Sequence, residues 1–185
     1  MAEYHGYVNV NVSSYDSFRL AVNGNGFDCD GIAGAQCVDL FLLLNYNLGY
    51  NPPYAKAQPD GYAYELWSDP TSRAYNKSDK YDLIYRIEDL RRGDMIINGA
   101  TQDNPYGHNA FCDSNYDVNL SYIPVLGQNQ GGTPFPGGGA YADIKNWYLD
   151  NFLGAFRLKQ WNIPITRQRK QGKFPWVLYA RKLRK

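Results

Sequence analysis

Residues 26–40 read GFDCDGIAGAQCVDL. Three carboxylates and two thiols fall within fifteen residues, directly ahead of the most apolar run of the chain at 40–44. Such a stretch fits a metal loop, a nucleophile at a helix start, or a disulfide fragment. Asp28, Asp30 and Asp39 occupy positions 1, 3 and 12 of a twelve-residue frame, the carboxylate spacing of a calcium loop. Carboxylates held this close repel one another unless a cation joins them. The backbone carbonyls of Ile32 and Gly34, at positions 5 and 7, would complete a shell. The frame departs from the EF-hand consensus: glycine is at position 4, position 5 lacks a side-chain oxygen, and position 12 is Asp rather than Glu. The competing reading is a polar turn that caps a helix, with Asp39 in its first turn.

AQCVDLFLLLNYNL predicts a buried helix over about 36–48, stopped by Gly49 and the prolines Pro52 and Pro53. Cys37 then lies in the first turn, where unpaired N–H groups and the helix dipole favour a thiolate and lower its pKa. A thiolate nucleophile needs a base. The same N–H groups would steady the oxyanion of an acyl-transfer intermediate. The chain has two histidines: His5 in a terminal segment and His108 in NPYGHNAFCD, at the start of an apolar strand. A cysteine at a helix start facing a histidine on a strand is the papain-type arrangement. The alternative for Cys37 is a small core residue.

At 185 residues, 44% of them hydrophobic, the chain is long enough for one domain with a proper core. Its 17 tyrosines suit either a groove for peptide or sugar, or half-buried sheet positions. MAEYHGYVNVNV carries no secretory pattern, so a product made in a cytoplasm is expected. Three cysteines, an odd number, argue with that against a disulfide framework and for at least one free thiol. Cys29 and Cys112 are expected to be structural. The apolar run is too short to span a membrane, and no membrane insertion is expected. Residues 1–150 carry a net −9, whereas 151–185 carry +10 and no acid. A basic end is a surface for a polyanion such as a teichoic acid, or an edge folded against the acidic remainder. No nucleic-acid motif accompanies it, and no nucleic-acid partner is expected.

Along the chain, YVNVNV (7–12) alternates like a strand or extended arm. SSYDSFRLAV predicts a helix capped by Ser13 or Ser14, and PDGYAYELWSD a short helix with Asp60 near its cap. YDLIYRI, DMIIN, HNAFCD, VNLSYIPVL and FPWVLYARK read as strands of an antiparallel sheet. ADIKNWYLDNFL (142–153) reads as a helix or an amphipathic loop, and TPFPGGG (133–139) as a flexible loop beside the site. Helices first and strands later predict an α+β domain, N-terminal helices packed on an antiparallel sheet.

These pieces together resemble a CHAP domain, the cysteine- and histidine-dependent amidohydrolase/peptidase family of peptidoglycan hydrolases. FDCDGIAGAQCVDL resembles the calcium-binding, nucleophile-bearing segment of phage endolysin CHAP domains. RRGDMIIN resembles the turn and strand before the histidine, YGHNAFC the histidine strand, and VLGQNQGG a later strand whose usual form is Leu-Glu-Gln-Asn. The match covers about 26–132 of a single domain (1–185), with a closing strand at about 174–181. The resemblance implies a papain-like α+β fold of the CHAP/NlpC-P60 type. It implies Cys37 as nucleophile, His108 as general base and Asn129 as a supporting polar residue. It also implies structural calcium held by Asp28, Asp30, Asp39 and the carbonyls of Ile32 and Gly34. Gly127 stands where the family's usual Glu orients the histidine. Asn129 is expected to take that role, with Gln128 pointing to the other face. The implied substrate is an amide of bacterial peptidoglycan, either the muramoyl–L-alanine link or a peptide bond. The implied setting is a phage endolysin released by a holin. A virion-associated tail lysin, or a weakly active CHAP-like wall-binding or tail module, is the alternative.

Overall fold

A computed structural model describes residues 1–49, 55–57, 60–77 and 79–161. It is α+β. Helix α1 (Tyr15–Val22) starts where a cap residue predicts it: Ser14 Oγ accepts the Ser17 N–H at 3.1 Å. Tyr15, Phe18 and Val22 are buried, a spacing that makes one apolar helical face. Helix α2 (Asp39–Asn47) is buried through residue 45, as expected of a helix apolar nearly all round. It begins later than the sequence suggests, so Cys37 and Val38 form a turn that leads into it.

Two short helices follow, α3 (Glu65–Ser68) and α4 (Pro70–Lys77). Asp69 Oδ1 accepts the Ser72 N–H at 2.7 Å, and Pro70 takes the first helical position, where its missing N–H costs nothing. Asp60 is not the cap of α3. Instead the buried Glu65 carboxylate reaches back and accepts the N–H groups of Asp60, Gly61 (2.8 Å) and Tyr62.

Strands β1 (Glu3–His5) and β2 (Gly26–Asp28) pair in parallel. Residues 7–12 continue as an arm outside any strand. The main sheet contains β3 (Tyr81–Ile84), β4 (Met95–Asn98), β5 (His108–Cys112), β6 (Ile123–Gly127), β7 (Asp143–Trp147) and β8 (Phe152–Leu158). Its order is β3-β8-β4-β5-β6-β7 and its pairings are antiparallel. The expected helix or loop at 142–153 is therefore β7 and the start of β8. The polar exposed positions of β7 hide any alternation, and pairing with β6 decides its state. The expected strand at 174–181 lies outside the described residues.

Side chains alternate across the sheet. Met95, Ile97, Phe111, Leu126, Phe156 and Leu158 face the helices; Phe41 of α2 packs edge-on to Tyr81 and Trp67 of α3 edge-on to Phe156. Ile96, Ala110, Cys112, Val125 and Ala155 form a second cluster. The turn before β4 is fixed by a two-pronged ion pair, Arg157 to Asp94, at 2.7 and 2.8 Å. Among the described residues no helix is long and apolar enough to cross a membrane.

Candidate active site and metal loop

Cys37 is buried at 8% exposure, against the start of β5. Its sulfur receives the backbone N–H groups of Val38 and of Asn109, the residue after His108. These donors lower the thiol pKa, but burial outweighs them and pushes it up to about 11. The expected lowered pKa does not hold, because Cys37 precedes α2 and burial of its thiol outweighs the backbone N–H groups that face it. The sulfur still faces donors placed for the negative charge of a reacting thiolate or oxyanion.

His108 opens β5, its ring 4.9 Å from that of Trp147. Burial alone drives its pKa down to about 4, so the resting ring is a neutral imidazole. Its Nε2 is buried without a hydrogen-bond partner. Cys37 and His108 line two neighbouring hollows. Between them Asn129, an exposed residue with φ 55°, donates from Nδ2 to Gln36 Oε1 at 2.8 Å. Asn129 thus supports the residue before Cys37, and its amide is not on His108. Gln128 is fully buried, on the side of the strand opposite to Gly127. It bonds both backbone groups of Phe27 (2.8 and 2.9 Å) and the Gln36 carbonyl (3.0 Å), tying β2 and the Cys37 turn to the end of β6.

The hollow at Cys37, about 490 Å³, is bordered by Gln36, Asp30, Asp60, Tyr62 and Tyr106. Tyr62 and Tyr106 meet edge-to-face at 5.2 Å, and Glu65 holds the loop that carries Tyr62. Glu65, Gln128 and the buried Asn109 were not read from the sequence as site residues. Only Glu65 left a trace there, an acid at a helix start behind a turn, as in a capping box.

Asp28, Asp30 and Asp39 each offer a carboxylate oxygen within 4.8 Å of the others. Asp28 Oδ1 is buried and has no partner. Asp39 accepts the N–H groups of Cys29 and Gln36, both at 2.7 Å, which shapes the loop; burial lifts its pKa to about 7. An unpartnered buried oxygen amid hard oxygen donors fits a divalent cation such as calcium. Ile32 lies on the exposed rim and Gly34 is buried. At Gly34 a Cβ would collide with the backbone of Gly138, so the 133–139 loop lies directly on the loop that carries the three aspartates. Cys29, Cys37 and Cys112 are all free and buried, as expected without a disulfide framework.

No family model matches this chain. A D-alanyl-L-alanine endopeptidase of Streptococcus phage B30 is 33% identical over 159 residues, covering 84% of this chain and 32% of that protein. The chain thus spans about a third of the length of this curated relative. Among solved structures, the endolysin LysIME-EF1 superposes with a TM-score of 0.60 at 22% identity, over 80% of this chain and 64% of that one. The α+β architecture expected from the sequence is the one this endolysin shares.

Proposed function

We propose that this chain is a CHAP-type peptidoglycan hydrolase, a cysteine amidohydrolase or peptidase of a phage endolysin. The observation that carries the reading is the seat of Cys37: its sulfur is held against the backbone of β5 one residue from His108, which opens that strand of the main sheet. The likeness to a phage endopeptidase and to an endolysin supports it. The bond named for the streptococcal-phage relative, D-alanyl–L-alanine, is the first to test.

In the proposed reaction the neutral His108 takes the Cys37 proton as the sulfur attacks the amide carbonyl. The N–H groups of Val38 and Asn109 face the developing charge. The protonated imidazole then gives its proton to the leaving amine. Water, activated by the same ring, releases the acyl group and restores the thiol. Calcium, held by Asp28, Asp30 and Asp39 with the carbonyls of Ile32 and Gly34, would stiffen the loop entering α2 and take no part in bond making. The protein is made in the host cytoplasm and meets the wall after holin release, or on the virion. The basic end from residue 151 onward serves anionic wall polymers such as teichoic acids. No nucleic acid enters this scheme.

Incubation with purified Gram-positive walls, with new amino groups quantified and the fragments identified by mass spectrometry, tests the reading. The parent protein should release amino groups and folded Cys37→Ala should release none. Release by Cys37→Ala at the parent rate would sink the cysteine mechanism. A second reading, a wall-binding or tail module of low activity, is favoured by the thiol held near 11 and by Gly127, which offers no side chain to His108. It predicts sedimentation with walls and no new amino groups from the parent protein.

A further inference from the structure

Three buried polar atoms without hydrogen-bond partners belong to residues lining one hollow: Asn98 Oδ1, His108 Nε2 and Gln130 Oε1. An unpaired buried polar atom costs about 1–3 kcal/mol, so such a cluster marks groups that find partners in the working molecule.

Gln130 is the most constrained of the three. Its Nε2 faces the Gly127 carbonyl (3.1 Å), the Asp143 carbonyl (3.0 Å) and Asp143 Oδ1 (3.2 Å). Three acceptors around one end require that end to be the NH₂ group, so the free end is the oxygen. The amide fills the space above Gly127: a Cβ there would lie 3.0 Å from Gln130 Cδ and 2.9 Å from Ala110 Cβ. In the β5–β6 register Phe111 faces Leu126 and Cys112 faces Val125. Continued one step, this sets Ala110 opposite Gly127. His108, two residues from Ala110, emerges on the same face as a diagonal neighbour. A fixed acceptor and a donor-capable imidazole therefore share one side of the sheet and one hollow.

We propose that Gln130 is a positioning residue for His108: in the working molecule its Oε1, unpartnered in this structure, accepts the His108 Nε2–H, fixes that tautomer, and leaves Nδ1 as the basic nitrogen for the Cys37 thiol. The assignment rests on His108 being the base, as proposed above. The charge that Gln130 touches is Asp143, itself paired with Lys145 at 3.1 Å, so Gln130 supplies orientation rather than charge. Asn98 Oδ1 is the rival acceptor, because Asn98 lies cross-strand from His108. None of the described hydrogen bonds fixes its amide, so its oxygen is free to turn away.

Proton–nitrogen NMR of the His108 ring reads the contact without turnover, in Cys37→Ala protein. The expected result is an Nε2-protonated ring whose Hε2 is protected from exchange. Gln130→Leu should lose that protection, and Asn98→Ala should keep it. In the protein with Cys37 intact, Gln130→Leu should lower kcat about ten- to a hundredfold at unchanged KM. An Nδ1-protonated ring, or an unprotected Hε2, in the Cys37→Ala protein overturns the assignment whether or not the leucine variant folds. Protection that survives Gln130→Leu, or that vanishes in Asn98→Ala alone, overturns it too. A protected Hε2 in protein that releases nothing from walls would count against the hydrolase reading and leave the Gln130 contact standing.

Discussion

Asn129 and Gln36, 93 positions apart, are joined by one hydrogen bond of 2.8 Å that fastens the end of β6 to the residue preceding Cys37. Asn129 does this from the left-handed backbone region, at φ 55°, which asparagine tolerates better than most residues. Two effects can therefore be separated. Asn129→Gly keeps the backbone and loses the bond, and should cost about 1 kcal/mol. Asn129→Ala adds strain of about 1–2 kcal/mol. The alanine variant should melt several degrees below the glycine variant, and scanning calorimetry would show it. Equal melting temperatures would mean the turn is not held as described.

The acid cluster makes a second prediction. With calcium at about a hundred times its dissociation constant, stabilisation should reach about 2.7 kcal/mol. For a chain of this size that is a rise in Tm of roughly 5–10 °C. Asp28→Ala removes the carboxylate whose Oδ1 is buried without a partner, and should abolish the rise. A rise that persists in this variant, measured from chelator-treated protein, would place calcium elsewhere.

Under the proposed mechanism His108 sets the acid side of the pH profile. Its neutral form is the proposed base, and burial lowers its pKa to about 4. Wall hydrolysis should therefore hold as pH falls through 6.5 and decline only near 4. Stability follows the opposite concern. The unfolded chain protonates this residue near pH 6.5 while the folded chain resists until about 4, so His108 subtracts stability progressively as pH drops across that window. His108→Gln should melt less steeply with acid over pH 6.5 to 4. Identical pH–Tm slopes in the two proteins would contradict a neutral imidazole with its Nε2 buried.

The Asp94–Arg157 pair joins a buried carboxylate to a half-buried guanidinium, with side chains 2% and 12% exposed. Removing one partner strands the other charge. Asp94→Ala should cost about 3–5 kcal/mol, whereas replacing both residues by apolar ones of similar volume should cost much less. Urea titrations of the single and double variants check this. A double variant no more stable than Asp94→Ala would refute it.

Much of the helix layer was legible in sequence, because its signals are local. Ser14 announces α1, and the leucines at 40 and 42–44 announce a helix without a wet face. Strands β3 to β6 were legible as short apolar runs between turns. β7 was not, because an edge strand facing water, with Lys145 and Asn146 outward, carries no apolar alternation. β8 was hidden by Gly154, which weakens a strand on paper but leaves room for the Trp67 ring. The candidate residues Cys37, His108 and the three aspartates were legible as chemistry. Their supports were not: Gln128 acts on Phe27, 101 positions away, and no local pattern encodes such a partner. The thiol pKa was misjudged for the same reason, since burial is a property of the finished fold.

The loop at 133–139 covers the aspartate loop, with Gly34 against the Gly138 backbone and Ala35 bonded to Gly138 and Ala140. Together with Gln128, it makes the Cys37 segment dependent on chain synthesised about a hundred positions later. Contacts of such sequence separation form slowly and only once the late segment exists. During synthesis the α1 and α2 residues are free to collapse while residues near 140 are still inside the ribosome. A nascent chain is thus expected to carry its thiol unassembled, and competence would arrive as one late event in folding rather than growing with length.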